Sequence, residues 1–378
     1  MRGTIFAGIY IHIPFCRQKC HYCDFPSYAG LSGLYGAYVD AVCAEISSDA
    51  VAFSPDATIF FGGGTPTVLA AEEIGRLAAA LKAKGLWEGA RERTIEANPG
   101  TINKPLLLKL RGMGFNRLSI GVQSFSDRLL KAIGRTHSAA DALDAVKGAK
   151  EAGWENVGLD LMYGLPGQTM KDLRESVALA AELGLQHISV YGLAVGEGAA
   201  LAKMLSCGET SLPDEETDAA MYEWVTGYLP RRGYRRYEIA NYARPGHECR
   251  HNILYWQYRP YRGFGAAATS FDGKMRTTNP LSVPEYINSG APESEEIGAA
   301  DAMAEFAFMG LRQADGIDPA DFRRLFGRDI YEVYGAAIAK NARKGLLTAG
   351  ERIALTETGM QFGNRVFLTF LPFLGATP

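Results

Sequence analysis

Six short runs rich in β-branched and aromatic residues, each followed by a helix-like or turn-rich stretch, fill the first 195 residues of the chain. This alternation constrains the fold more than any other feature. The strand candidates are Ile5–Ile11, Thr58–Phe61, Thr94–Glu96, Arg117–Ile120, Asn156–Asp160 and His187–Tyr191. Helix-like segments fall between them at Gly33–Ala52, Ala70–Lys84, Lys104–Met113, Asp127–Ile133 with Ala139–Ala152, and Met170–Leu183. Most strands begin roughly 25–50 residues after the last, enough for a crossover helix. The expectation is an α/β fold with a parallel sheet, either an open doubly wound layer or an incomplete barrel. In both, ligands collect in the loops at the carboxyl ends of the strands.

Residues 196–290 are less regular: a helix over Asp214–Leu229, an aromatic and basic stretch Tyr234–Arg262, and a Gly/Ala run Gly263–Ala268. They read as a connecting region. Ser289–Gly298 reads as a linker, and residues 299–378 as a small α+β, winged-helix-like domain. A helix there is expected to end at Lys344 with Gly345 as its cap, before two short strands around Leu346–Thr348 and Ile353–Thr356. Residues 301–378 carry nine Lys/Arg and nine Asp/Glu, and the whole chain 39 against 42. Neither balance suits nucleic acid. No run of about 18 apolar residues suggests a membrane span. Gly3–Cys16 is apolar, but His12, Pro14 and the lack of a small-residue cleavage site make it a buried strand rather than a signal peptide. Six unevenly spaced cysteines in 378 residues do not form a disulfide framework, so the expected compartment is the cytoplasm.

Three of those cysteines, Cys16, Cys20 and Cys23, form C-x3-C-x2-C in the loop Pro14–Phe25 directly after the first strand. They could be buried structural thiols, or a zinc site completed by His21 or His12. An iron–sulfur cluster is the third reading, and three thiolates on four irons leave one iron open to another ligand. The motif resembles the radical S-adenosylmethionine (SAM) superfamily, and Tyr10-Ile-His-Ile-Pro-Phe-Cys16 resembles its HemN/HemW branch. The resemblance implies a partial (β/α)6 barrel, a [4Fe-4S] cluster on the three cysteines, and bound SAM. It also implies an electron donor such as flavodoxin or ferredoxin. Gly62-Gly63-Gly64-Thr65-Pro66 would hold SAM's amino group, with Glu96, Gln123, Arg135 and Asp160 at later strand ends, and Tyr10 and Tyr22 beside the cluster. SAM carries both a carboxylate and a sulfonium, so a mouth with both signs of charge suits it. The stretch Gly192–Ala200 departs from the branch's usual sequence, and Ala194 with it.

The porphyrinogen-oxidising members of the branch continue the loop with a fourth cysteine, where this chain has Phe25, and they carry a longer N-terminal segment. His251-Asn-Ile-Leu-Tyr255-Trp256 is similar to the motif of haem chaperones of the HemW group. The resemblance then implies haem binding by His251, Tyr255 and Trp256, and delivery to respiratory acceptor proteins without a membrane span, peripheral membrane contact being allowed. Imidazole suits haem iron, and the two aromatics suit a porphyrin face. Other readings are a structural segment, or a metal site from His247, Cys249 and His251, which alternate as a strand would place them on one face. For the whole chain, the alternatives are oxygen-independent decarboxylation of coproporphyrinogen III and a zinc protein with a degenerate barrel. Cys43 and Cys207 are expected to be packing residues.

Overall fold

The structure is a computed structural model that describes residues 4–371; the first three residues of the 1–195 unit and the last seven of the 299–378 unit lie outside the described residues. The six expected strands are β1 (Ile5–Ile13), β2 (Ala52–Gly63), β3 (Glu92–Ala97), β4 (Arg117–Gln123), β5 (Val157–Tyr163) and β6 (His187–Gly192). They lie side by side in chain order, all parallel. Helices α1 (Tyr35–Ser48), α2 (Ala71–Ala83), α3 (Lys104–Met113), α4 (Ala139–Glu151) and α5 (Met170–Glu182) alternate with them. The match to α3 has a local cause. Asn103 accepts from the Leu106 amide at 2.9 Å to start the helix, and Gly114, at φ 106°, ends it.

Strand alternation gives the barrel two unlike faces. Ile9, Ile11, Ile59, Phe61, Ile95, Leu118, Ile120, Leu159, Leu161, Ile188 and Val190 join one core packed under the helices. Their neighbours of opposite parity are Tyr10, His12, Thr58, Glu92, Thr94, Glu96, Arg117, Ser119, Asp160, His187 and Ser189. Apart from Phe60 and Met162 the barrel interior is therefore polar, which suits ligands better than a second apolar core does.

Residues 196–290 build onto both edges of this sheet. Beyond β6, after helix α6 (Glu215–Arg231), come β7 (Arg235–Arg236) and β8 (Asn241–Ala243), with β8 antiparallel to β6. After helix α7 (Arg250–Trp256), β9 (Tyr261–Phe264) pairs in parallel with β1. Strands β10 (Thr269–Phe271), β11 (Met275–Thr278) and β12 (Glu293–Glu296) extend that edge antiparallel. The resulting twelve-stranded sheet runs β12-β11-β10-β9-β1-β2-β3-β4-β5-β6-β8-β7. Two expectations are corrected here. Residues 289–298 hold an edge strand, not only a linker: Glu293, Ser294, Glu295 and Glu296 pair with β11, and their exposed charges blunt the edge. The stretch from His247 to His251 is not a strand, because α7 begins at Arg250.

The C-terminal unit has its own core. Helices α8 (Ala299–Leu311), α9 (Pro319–Phe326) and α10 (Ile330–Arg343) pack with the hairpin β13 (Leu347–Ala349) and β14 (Ile353–Leu355) around Phe306, Phe322, Ile338 and Ile353. Helix α10 is capped at Lys344 and followed by Gly345 at φ 69°, as expected. Tyr258 joins the unit to the sheet, its ring lying 4.7 Å from Phe271 and 6.3 Å from Phe306. Cys43 packs against the barrel core, but Cys207 is exposed beyond a short helix, so it is not a packing residue.

Candidate functional site

The cysteine loop leaves β1 and is pinned at its base, where Phe15–Cys16 pairs with Tyr28–Ala29. The Cys23 amide donates to the Cys20 carbonyl, closing a tight turn between the two. Each thiol has a different polar neighbour: Cys16 Sγ lies 3.6 Å from Thr65 Oγ1, Cys20 Sγ accepts from Arg135 Nη1 at 3.5 Å, and Cys23 Sγ lies 3.8 Å from Ser27 Oγ. Burial pushes the Cys16 thiol up, while Thr65 and Ser27 pull it down. The donor set is soft sulfur beside a fixed guanidinium, which suits an iron–sulfur cluster. The histidines suggested for a zinc site point elsewhere. His12 contacts Tyr10 Oη at 3.1 Å and the Pro26 carbonyl at 2.9 Å, and His21 contacts the Ala132 carbonyl at 3.2 Å. Among the described residues, no three His, Cys, Asp or Glu side chains converge on a single-ion site.

Around the loop stand the strand ends. Gly64 donates to the Ile13 carbonyl and Thr65 to the Phe15 carbonyl, both at 2.8 Å, so β2 is zipped to the start of the cysteine loop. The Gly63 amide donates to Glu96 Oε2 at 3.3 Å. With those three amides engaged, this segment suits an ammonium better than an anion. Burial, then the neighbouring Asp160 carboxylate, pushes Glu96 up to about 8. Burial also raises Asp160, which accepts from Ser119 Oγ at 3.4 Å. Two crowded carboxyls of raised pKa form a site that a cation would stabilise. Arg135 lies opposite. It donates to Asn98 Oδ1 at 2.6 Å and to the Gly121 carbonyl as well as to Cys20; burial opposes its charge, but Tyr22 and Cys20 outweigh that. Gln123 ends β4 at φ 66°, a strained backbone for a non-glycine residue at the barrel mouth. Tyr22 packs beside Leu129 and Ile133. Tyr10 lies in the inner wall, its ring 6.1 Å from Phe60 and 6.4 Å from His251.

The third group lies between the sheet edge and α8. A cavity of about 600 Å³ is lined by Tyr10, His12, Phe25, Tyr255, Trp256, Tyr258, Tyr261, Phe271, Phe308 and Met309, with Arg259, Arg276 and Glu305 adding charge. Its volume and aromatic walls suit a flat organic ligand. Tyr255 and Trp256 line it; His251 does not. His251 is 1% exposed, with Nδ1 2.8 Å from Thr58 Oγ1 and Nε2 2.8 Å from Tyr255 Oη. Burial, then Arg117, lowers its pKa to about 3, so the ring is neutral. Glu92 holds the start of α7 by accepting from the Arg250 amide at 2.9 Å and the His251 amide at 3.1 Å, with Cys249 Sγ 3.6 Å away. The idea of a metal site from His247, Cys249 and His251 is therefore corrected: Cys249 and His251 are committed to separate partners.

Comparison with known proteins fits this geometry. The Radical SAM superfamily model matches residues 10–180, and the HemN C-terminal domain model matches residues 298–362. The protein "Heme chaperone HemW" of Bacillus subtilis (strain 168) is 39% identical over 372 residues, covering 96% of this chain and 98% of that one. This chain belongs to the HemW family of radical SAM proteins. The Escherichia coli (strain K12) HemW is 33% identical over 376 residues, covering 96% and 98% of the two chains. Among solved structures, the coproporphyrinogen III oxidase HemN of Escherichia coli matches with a TM-score of 0.83 at 22% identity, over 98% of this chain and 91% of that one. That likeness shows the shared fold. Membership of the radical SAM superfamily implies a [4Fe-4S] cluster and SAM as cofactors, as expected from the cysteine loop.

Some residues of this HemW-family site were missed in the sequence. Asn98 bridges two expected site residues, donating to Thr65 Oγ1 at 2.9 Å and accepting from Arg135. Its only signal was its place in Glu96-Ala-Asn98-Pro. Thr58, which orients His251, and Phe271, Phe308 and Met309 in the cavity wall carried no signal at all.

Proposed function

We propose that this chain is a cytoplasmic haem chaperone that carries a [4Fe-4S] cluster and SAM, binds haem in the aromatic cavity, and passes it to membrane respiratory acceptor proteins. Cys16, Cys20 and Cys23 would hold three irons of the cluster. Gly63, Gly64, Thr65, Glu96, Gln123, Arg135 and Asp160 would hold SAM, with Tyr10 and Tyr22 alongside. The observation that carries the haem reading is the cavity of about 600 Å³ walled by Tyr255 and Trp256 of the HemW-type motif. Arg259 at that cavity supplies charge of the sign that porphyrin carboxylates need, while Arg276 is paired with Glu305 at 2.7 Å. Bound SAM supplies a potential source of radical chemistry, and the protein's part is to position it.

The test is anaerobic reconstitution with iron and sulfide, followed by haem titration with and without SAM. The proposal expects saturable binding of one haem per chain, weakened by Phe308→Asp, which puts a charge in the cavity wall. Failure of the wild type to bind would sink it. Incubation with reductant, SAM and coproporphyrinogen III tests the alternative, which Phe25 in the place of the fourth loop cysteine disfavours. Decarboxylated product would favour the oxidase.

A further inference from the structure

The haem reading leaves open which atom meets the iron, and the arrangement around His251 bears on that. Its two ring nitrogens are both engaged, Nδ1 with Thr58 Oγ1 and Nε2 with Tyr255 Oη, each at 2.8 Å. The ring is sandwiched below Phe60, centroids 5.0 Å apart, and is 1% exposed. A Cβ on Gly8 would lie 3.3 Å from His251 Cε1, so β1 also confines it. Tyr255 stands one turn along α7, its ring edge-on to His251 at 5.0 Å and to Tyr261 at 4.6 Å, and it faces the cavity. For the imidazole to reach iron in the cavity, Tyr255 would have to leave and the ring would have to give up a hydrogen bond. Tyr255 already lines the cavity.

Resting on the haem-chaperone reading, we infer that Tyr255 is the axial ligand to ferric haem in the aromatic cavity, and that His251 is a positioning residue that holds the phenolate. Tyrosinate is an established haem ligand, and a hard oxygen anion suits ferric iron. The step balances with groups present. An iron–oxygen bond forms and the phenolic O–H bond breaks, its proton leaving to water through the cavity that Tyr255 lines. Nδ1 accepts from the Thr58 hydroxyl, and the proton that Nε2 keeps is donated to the phenolate oxygen. His251 remains neutral throughout, as its confinement beside buried Arg117 requires. The metal's charge drives the loss of one proton per haem bound. No oxidation or reduction is involved.

Ferric haem is titrated into the full-length wild type, Tyr255→Phe, His251→Ala and Thr58→Val, with circular dichroism confirming each fold. The readouts are absorption, electron paramagnetic resonance and resonance Raman excited in the phenolate-to-iron charge-transfer band. The wild type is expected to show high-spin ferric haem with phenolate modes. Tyr255→Phe is expected to lose those modes and to bind about tenfold or more weakly. His251→Ala is expected to keep the phenolate signature while binding more weakly, which a direct ligand could not do. Thr58→Val is expected to behave like a milder His251→Ala. The inference is overturned if Tyr255→Phe keeps the wild-type spectrum, or if His251→Ala alone changes the axial ligand. Haem binding without phenolate modes defeats this inference but leaves the chaperone reading standing; no haem binding by the wild type defeats both.

Discussion

Replacing Gly64 by Ala isolates the contact that ties β2 to the cysteine loop. A Cβ at Gly64 would lie 2.6 Å from the Phe15 carbonyl oxygen and 3.0 Å from the Phe15 carbonyl carbon and nitrogen. These are backbone atoms and cannot rotate away. Relief requires β2 to withdraw from β1, which stretches the Gly64-to-Ile13 and Thr65-to-Phe15 hydrogen bonds. Overpacking of this kind costs about 1–3 kcal/mol, and each of the two weakened backbone bonds about 1 kcal/mol, so the expected loss is about 3–5 kcal/mol. Withdrawal also pulls Thr65 away from Cys16 and Asn98. Urea unfolding followed by tryptophan fluorescence gives the stability change at constant slope, and iron content after anaerobic reconstitution gives cluster occupancy. Gly148→Ala is the control. It sits inside α4, where a Cβ meets Leu107 Cδ1 at an ordinary 3.7 Å, so it is expected to stabilise by about 0.5–1 kcal/mol. Gly64→Ala within about 0.5 kcal/mol of wild type, with full cluster, would refute the reasoning.

Cys16→Ala, Cys20→Ala and Cys23→Ala are each expected to abolish the visible absorption of the reconstituted cluster, whereas Cys43→Ala and exposed Cys207→Ala keep it; the reverse pattern would place the cluster elsewhere. Glu96 gives a pH signature. Its pKa in the fold, about 8, lies above the unfolded carboxylate value, so the folded state binds the extra proton and stability falls as pH rises toward 8. Melting temperatures between pH 6 and 9 should therefore decline in the wild type and flatten in Glu96→Gln. SAM affinity, in contrast, should rise over the same range as the carboxylate ionises, and Glu96→Gln should remove that rise too.

The barrel strands were legible because each outward face supplies an unbroken apolar parity, as in Ile9-Ile11-Ile13 and Leu118-Ile120-Val122. The helices were legible where local chemistry marked their ends, as Asn103 and Gly114 do for α3. What escaped lacked such local signals. Strands β7 to β12 are two to four residues long, too short for a period to register, and β12 is wholly polar. Helix α7 was not foreseen: the spacing of His247, Cys249 and His251 also allows a strand, while the group that holds its first amides is Glu92, on a distant strand. At the site, the cysteine loop and the strand-end residues were visible as motifs. The cavity was not, because its wall combines β1, α7, the β9–β10 edge and α8, brought together only by the sheet's extension past β1.

Haem transfer tests the central claim most directly. The reconstituted protein is loaded with one equivalent of haem, mixed with an excess of an apo haem-containing respiratory subunit, and separated from it. The account predicts that the haem absorption moves to the acceptor, and that the Phe308→Asp variant, poorly loaded, delivers little. Haem that stays with the loaded chain, or reaches the acceptor no faster than free haem does, would contradict it.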